Sequence, residues 1–322
     1  MKDLDRIGSA ASLAAGEYPP LVGPELSAAN RLAYVKERVI EALLMLAAFS
    51  SVAITAGIVG ILVYESSTFF AHVPLVDFLT DTLWTPLFAA PRFGIMPLVT
   101  GTLVTTLVAL AVALPIGTIV AIYLSEFAPS ALREIVKPAL ELLSAVPTVV
   151  YGYFALQFMS PLLQRLVPGL PTFNMLSAGV VMGIMIIPYV SSLSEDAMRA
   201  VPMSLREGAY ALGANRIITA LKVVYPAALS GIVASYILAI SRAIGETMIV
   251  AIAAGMQPNL TFDPREPAAT ITAFIVQVSL GDLPHGSIGY QSIFAAGIVL
   301  FLMTLAFNIL GSVLRKRFRE VY

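Results

Sequence analysis

The sequence predicts an all-α membrane protein with six transmembrane helices, and three observations predict it. First, 58% of the 322 residues are hydrophobic and 12% are charged, with a mean hydropathy of +0.87, whereas a soluble domain carries about 25% charged residues. Second, six stretches reach the roughly 20 apolar residues that a bilayer requires: 40–63, 96–124, 140–160, 173–193, 227–254 and 290–314. Third, Lys and Arg segregate. Lys2, Arg6, Arg31, Lys36 and Arg38 precede the first span, and Arg133 and Lys137 fall between spans 2 and 3. Arg199, Arg206, Arg216 and Lys222 fall between spans 4 and 5, and Arg315, Lys316, Arg317 and Arg319 follow the last. The opposite side holds only Arg92, Arg165 and Arg265, so both termini are expected in the cytoplasm.

The elements follow in order. Residues 1–30 are rich in Ala, Gly, Ser and Pro and lack an apolar h-region, which argues against a signal peptide. The stretch 1–38 is read as a mobile cytoplasmic tail, 39–314 as the six-span domain and 315–322 as a basic cytoplasmic tail. The loop after span 1, "ESSTFFAHVPLVDFLTDTLWTPLFAAPRFG", holds the only tryptophan, Trp84. It is expected to lie at the bilayer interface, a docking surface for an extracytoplasmic partner being the alternative. Span 2 is long enough to tilt or project. Its Thr102, Thr105 and Thr106 share a face that is expected to bond its own backbone or to glue helices, lining of a path being the alternative. Pro115, Pro147 and Pro188 lie inside spans and require neighbours for the carbonyls they free. Pro147 is expected to give span 3 a fixed kink.

Between spans 4 and 5 the loop 194–226 reads as two short helices. Pro202 suits a first turn, Gly213 the left-handed position past a helix end, and Asn215 the cap of the next. The helix over 203–212 exposes Arg206 and Glu207 and offers Leu205, Ala209 and Leu212 as an apolar face, so it is expected to dock on a membrane surface or a soluble partner.

Several function classes are excluded or weakened. The chain has no cysteine, which removes disulfides, Fe–S clusters and thiol catalysis. Its two histidines, His72 and His285, fall in separate loops, and no metal site is expected. A net charge of −1 gives no footprint for nucleic acid. No Gly-Lys dipeptide occurs, so there is no Walker A loop, and any ATP must be bound by another polypeptide. No internal repeat supports the inverted symmetry common among secondary carriers. With no intramembrane histidine, Gly-x-Ser-x-Gly elbow or acidic pair within a span, no catalytic residue is assigned.

Span 5 carries the unusual chemistry: in "SRAIGETMIVAIAAG", Arg242 and Glu246 are the only charges between Ala227 and Met256. Two such charges oppose insertion by roughly 5–7 kcal/mol, against about 3–6 kcal/mol supplied by the aliphatic residues of the span. The span therefore needs a partner helix or an aqueous cavity. Spacing i, i+4 lets Arg242 and Glu246 pair, with Ser235, Ala239 and Gly245 near the same stripe. A structural ion pair is one reading. The other is a substrate path of Arg242, Glu246, Ser235 and Thr247, because an arginine fork matches an oxyanion and intramembrane charges default to function.

The loop residues Glu207, Gly208, Ala209, Gly213, Val223, Tyr225 and Pro226 resemble the E-A-A-x3-G-x9-I-x-L-P loop of importer permeases of ATP-binding-cassette systems. The spacing is intact, and Gly208, Val223 and Tyr225 depart from the pattern. "ELLSAVPTVVYGYFAL" (141–156), "SRAIGETM" (241–248) and "YQSIFAAGIVLFLMTLAFNI" (290–309) narrow the resemblance to the C-type permeases of phosphate-specific importers. It covers about 95–314. The resemblance implies the type I importer permease fold, with 203–213 as a coupling helix whose Arg206, Glu207, Gly208, Ala209 and Gly213 meet an ATPase subunit. It also implies a homologous second permease, two ATP-binding-cassette ATPase subunits holding ATP and Mg, an extracytoplasmic phosphate-binding protein and an inner-membrane location. The alternatives are another oxyanion (phosphonate, sulfate or molybdate) on the same architecture, or a proton-coupled carrier.

Overall fold

The computed structural model describes residues 24–86, 88, 90–281, 283–284 and 286–317, with side chains described between 33 and 315. The expected tail therefore lies outside the described residues for 1–23, as do His285 and 318–322. Helix α1, Pro24–Phe70, begins well before the first span, within the stretch read as a tail. Two units are distinguished, one ending at Ile61 and one beginning at Leu62. In the first, every side chain from Ala33 to Ile58 is exposed, and from Ala42 to Ile58 none is charged, as suits a helix that meets lipid or protein.

The second unit holds α2 (Leu75–Thr80), α3 (Met96–Phe127), α4 (Ser130–Ala145), α5 (Thr148–Leu166) and α6 (Met175–Arg199). Next come α7 (Met203–Ala211), α8 (Arg216–Ala227), α9 (Leu229–Ile244), α10 (Met248–Ala253), α11 (Ile271–Ser279) and α12 (Ile288–Arg317). Four helices are long and apolar enough to cross a membrane, and six spans result if α4–α5 and α8–α9 each count as one. The kink expected in span 3 is larger than a kink: α4 and α5 are bent by 88° at Val146–Pro147. Proline pushes the preceding residue out of the helical region, and Val146 is indeed extended, at ψ 130°.

The helix α3 packs along α6 because small residues let the backbones approach. A Cβ added at Gly179 would stand 2.6 Å from Val108 Cγ1, and one at Gly183 would stand 2.7 Å from the Ala109 carbonyl oxygen. This is the small-residue interface that membrane helices use in place of a hydrophobic driving force. Thr102 and Thr105 donate to the carbonyls of Leu98 and Gly101, and Thr102 also accepts from the Ile271 amide at the start of α11. The expected backbone-bonding role of this face holds at these two residues. Three π-turns, Tyr123–Phe127, Ala155–Met159 and Ala220–Val224, each precede a proline by two residues. Proline has no N–H and its ring crowds the carbonyl four residues back. A wider i→i+5 turn relieves both, as in the 2.8 Å bond from Ala128 N to the Tyr123 carbonyl.

The loop after span 1 is folded. Trp84, Phe69, Phe78 and Phe274 are buried together in edge-to-face contacts, and Trp84 bridges to Phe93. Arg92 donates to Asp81 at 2.7 Å across this turn and holds the Asp81 carboxyl below the usual range.

Candidate functional site

Span 5 is not a continuous helix. Helix α9 ends at Ile244, Gly245 closes it, and α10 starts anew at Met248. Residue 246 therefore lies beyond the face it would share with Arg242, and the expected Arg242–Glu246 pair does not form. Glu246 is buried, and its Oε1 accepts from the amides of Met248 at 3.0 Å and Ile249 at 3.4 Å. A carboxylate there meets the orphan amides and the positive end of the helix dipole, so Glu246 is an anionic cap for α10. Its main-chain carbonyl accepts from Thr272 Oγ1 at 2.6 Å, which ties the break to α11.

Arg242 is held differently. Its guanidinium carbon stands 4.5 Å from the ring centroid of Tyr189 on α6, a cation–π contact that stabilises by about 0.5–2 kcal/mol. Among the described residues it forms no ion pair, and Nε is buried without a hydrogen-bond partner. It borders a cleft of about 520 Å³ between α4, α6 and α9, with Glu141, Tyr189 and Ser192 also on the wall. Of the four expected path residues only Arg242 reaches this cleft. Ser235 is buried and bonds Ser194 of α6 at 2.8 Å, which makes it a helix–helix contact. Thr247 occupies the break and donates to the Gly245 carbonyl at 3.4 Å.

The coupling segment has the expected caps. Pro202 precedes α7, Gly213 has φ +81°, and Asn215 accepts from the Ile218 amide at 2.9 Å. Arg206, expected on the exposed face, instead points inward. It pairs with Glu126 at 2.9 Å and donates to the carbonyls of Val201 at 2.6 Å and Met198 at 2.8 Å. The physical reason is the helix period: Leu205, Arg206 and Ala209 lie on the inner side, while Met203, Glu207 and Tyr210 lie outside. Gly208 is exposed, and Leu212, expected on the apolar face, is 90% exposed.

Spacing did not reveal the contacts of Glu126, Lys137, Glu141, Tyr189 or Glu195. Lys137 of α4 reaches Glu195 at 2.7 Å and also Asp196, both on α6. Charges at span edges were the available signal, but their partners are distant in sequence.

A sequence profile described as "Binding-protein-dependent transport system inner membrane component" matches residues 113–320. The chain belongs to this family. The binding-protein-dependent permeases it matches include the "Probable ABC transporter permease protein YqgH" of Bacillus subtilis (strain 168). That protein is 33% identical over 86% of this chain and 88% of its own length. The "Phosphate transport system permease protein PstC" of Mesorhizobium japonicum is 33% identical over 71% and 74%. In fold the chain resembles a bacterial alginate ABC transporter solved with an alginate pentasaccharide-bound periplasmic protein. The TM-score is 0.63 at 15% identity, covering 88% of this chain and 95% of that one. The molecule is thus a multi-pass ABC importer permease subunit of the inner membrane, with the type I importer permease fold.

Proposed function

We propose that this permease moves inorganic phosphate into the cytoplasm, and that Arg242 contacts the anion in transit. One observation carries the reading: an arginine about 20 Å along α9 from Leu229 borders a cleft, supported by an aromatic ring and, among the described residues, unpaired with any carboxylate. A guanidinium so held presents its fork to an oxyanion in a medium where charge is costly. The phosphate systems named for the C-type relatives support the choice of anion.

In this reading a homologous permease completes the path, an extracytoplasmic phosphate-binding protein delivers the anion, and two ATPase subunits hold ATP and Mg. Both termini are cytoplasmic. The outward face of α7 meets an ATPase subunit, and Arg206 passes the motion to α3 and α6 as access alternates.

The test is ATP-driven uptake of labelled phosphate by the reconstituted assembly, compared with an equally expressed Arg242→Gln. Loss of uptake in the variant with its ATPase intact is the expected result. Equal uptake reduces Arg242 to a packing residue, and no phosphate uptake in either protein points to another oxyanion.

A further inference from the structure

Arg242 shares its cleft with a carboxylate, and that carboxylate is Glu141. Both residues lie on the wall of the 520 Å³ space, Glu141 from α4 and Arg242 from α9. Glu141 is exposed and takes part in no ion pair among the described residues. Opposite charges that border one cleft attract, so the absence of a pair needs a cause on each side.

On one side the Tyr189 ring supports the guanidinium. On the other, Lys137 stands one turn before Glu141 and clamps α4 to Glu195 and Asp196 of α6, with Glu195 fully buried. This clamp fixes the register of α4, and the Ser144 hydroxyl bonds the Glu141 carbonyl at 2.7 Å within the last turn. A cation and an anion thus border one cleft of about 520 Å³ without pairing among the described residues. A tetrahedral oxyanion fits there with several waters.

The guest that satisfies both walls must accept hydrogen bonds from Arg242 and donate one to Glu141. An ionised carboxylate is an acceptor only. Phosphate keeps at least one proton at physiological pH and has an O–H to give; sulfate has none and would set lone pairs against lone pairs. Resting on the proposed anion path, we propose that Glu141 accepts a hydrogen bond from the protonated oxygen of hydrogen phosphate held by Arg242, so that the cleft selects protonated oxyanions. Sequence spacing directs attention to Glu246, but its carboxylate is engaged by the amides of α10.

The chain has no cysteine, so a single Ser192→Cys on the cleft wall reports occupancy through its alkylation rate. The assembled transporter carrying this reporter is labelled in rising inorganic phosphate or inorganic sulfate. The expected result is protection by phosphate at concentrations about 10-fold or more below those of sulfate, the discrimination expected from one hydrogen bond to a charged group. Adding Glu141→Gln brings the two anions close together, Glu141→Asp restores the preference, and Arg242→Gln removes protection by both. Equal protection with Glu141 intact, or an unchanged preference in Glu141→Gln, overturns the role of Glu141 and leaves the Arg242 path standing. Absence of protection by either anion overturns both. If Glu141→Gln does not assemble, Glu141→Ala is read in the same way.

Discussion

Arg242 and Glu246 sit four residues apart, yet Gly245 sends them into different environments, one on a tyrosine ring and one on two amides. Their substitutions should therefore fail differently. Arg242→Lys keeps the charge but loses the planar fork and its stacking, so uptake should stay at least about 10-fold below wild type, one lost charge-assisted bond being worth that much. Glu246→Ala removes a cap, which costs about 1 kcal/mol, and should lower the unfolding temperature in detergent by about 1–2 °C. Labelled uptake reads the first, and a thermal melt reads the second. In the loops outside the membrane, the Arg265 side chain pulls the Asp263 carboxyl down to about 2, and Arg92 lowers that of Asp81. Both folded values lie below the unfolded ones, so the stabilisation is present above about pH 4. It is lost as pH falls toward and through the folded values. Hydrogen-exchange protection at Leu83 and Gly94, whose backbone groups close the turn at 2.9 Å, should fall over that acid range and not between pH 5 and 8.

At the scale of the element, α7 is fastened from within. Arg206 is 11% exposed and Glu126 7%, and removing one member of a buried pair costs about 3–5 kcal/mol. Arg206→Ala should lower stability by that order and reduce uptake more than ATP hydrolysis, because α7 would no longer move with α3 and α6. The ratio of phosphate transported to ATP hydrolysed is the measurement. The residues around α7 show where sequence reading succeeds. Pro202, Gly213 and Asn215 specify helix ends through their own backbone chemistry; Gly213 and Asn215 are found where they were placed, and Pro202, placed in the first turn, stands just before it. The partner of Arg206 is 80 residues away, and nothing local announces it.

At the scale of the molecule, the exposed apolar length of α1 and the orientation of the loops decide what the chain must meet. Since the chain has no cysteine, Leu212→Cys and Asp263→Cys make a topology test. In right-side-out vesicles an impermeant thiol reagent should label residue 263 and spare residue 212; the reverse pattern would invert the proposed orientation.

Sequence by itself determined the class: six apolar stretches, the charge asymmetry and the motif spacing follow from solvation and from local backbone preference, which each segment carries alone. It also marked Arg242 as costly to insert. Tertiary structure alone decided that span 5 breaks at Gly245, that Glu246 caps α10, and that Ser235 joins two helices. It likewise put Glu141 and Arg242 on the wall of one cleft, with α4 bent 88° from α5 and clamped to α6 by Lys137. Those outcomes depend on which charges meet across the bundle, and a periodicity read along one segment holds no information about the facing one.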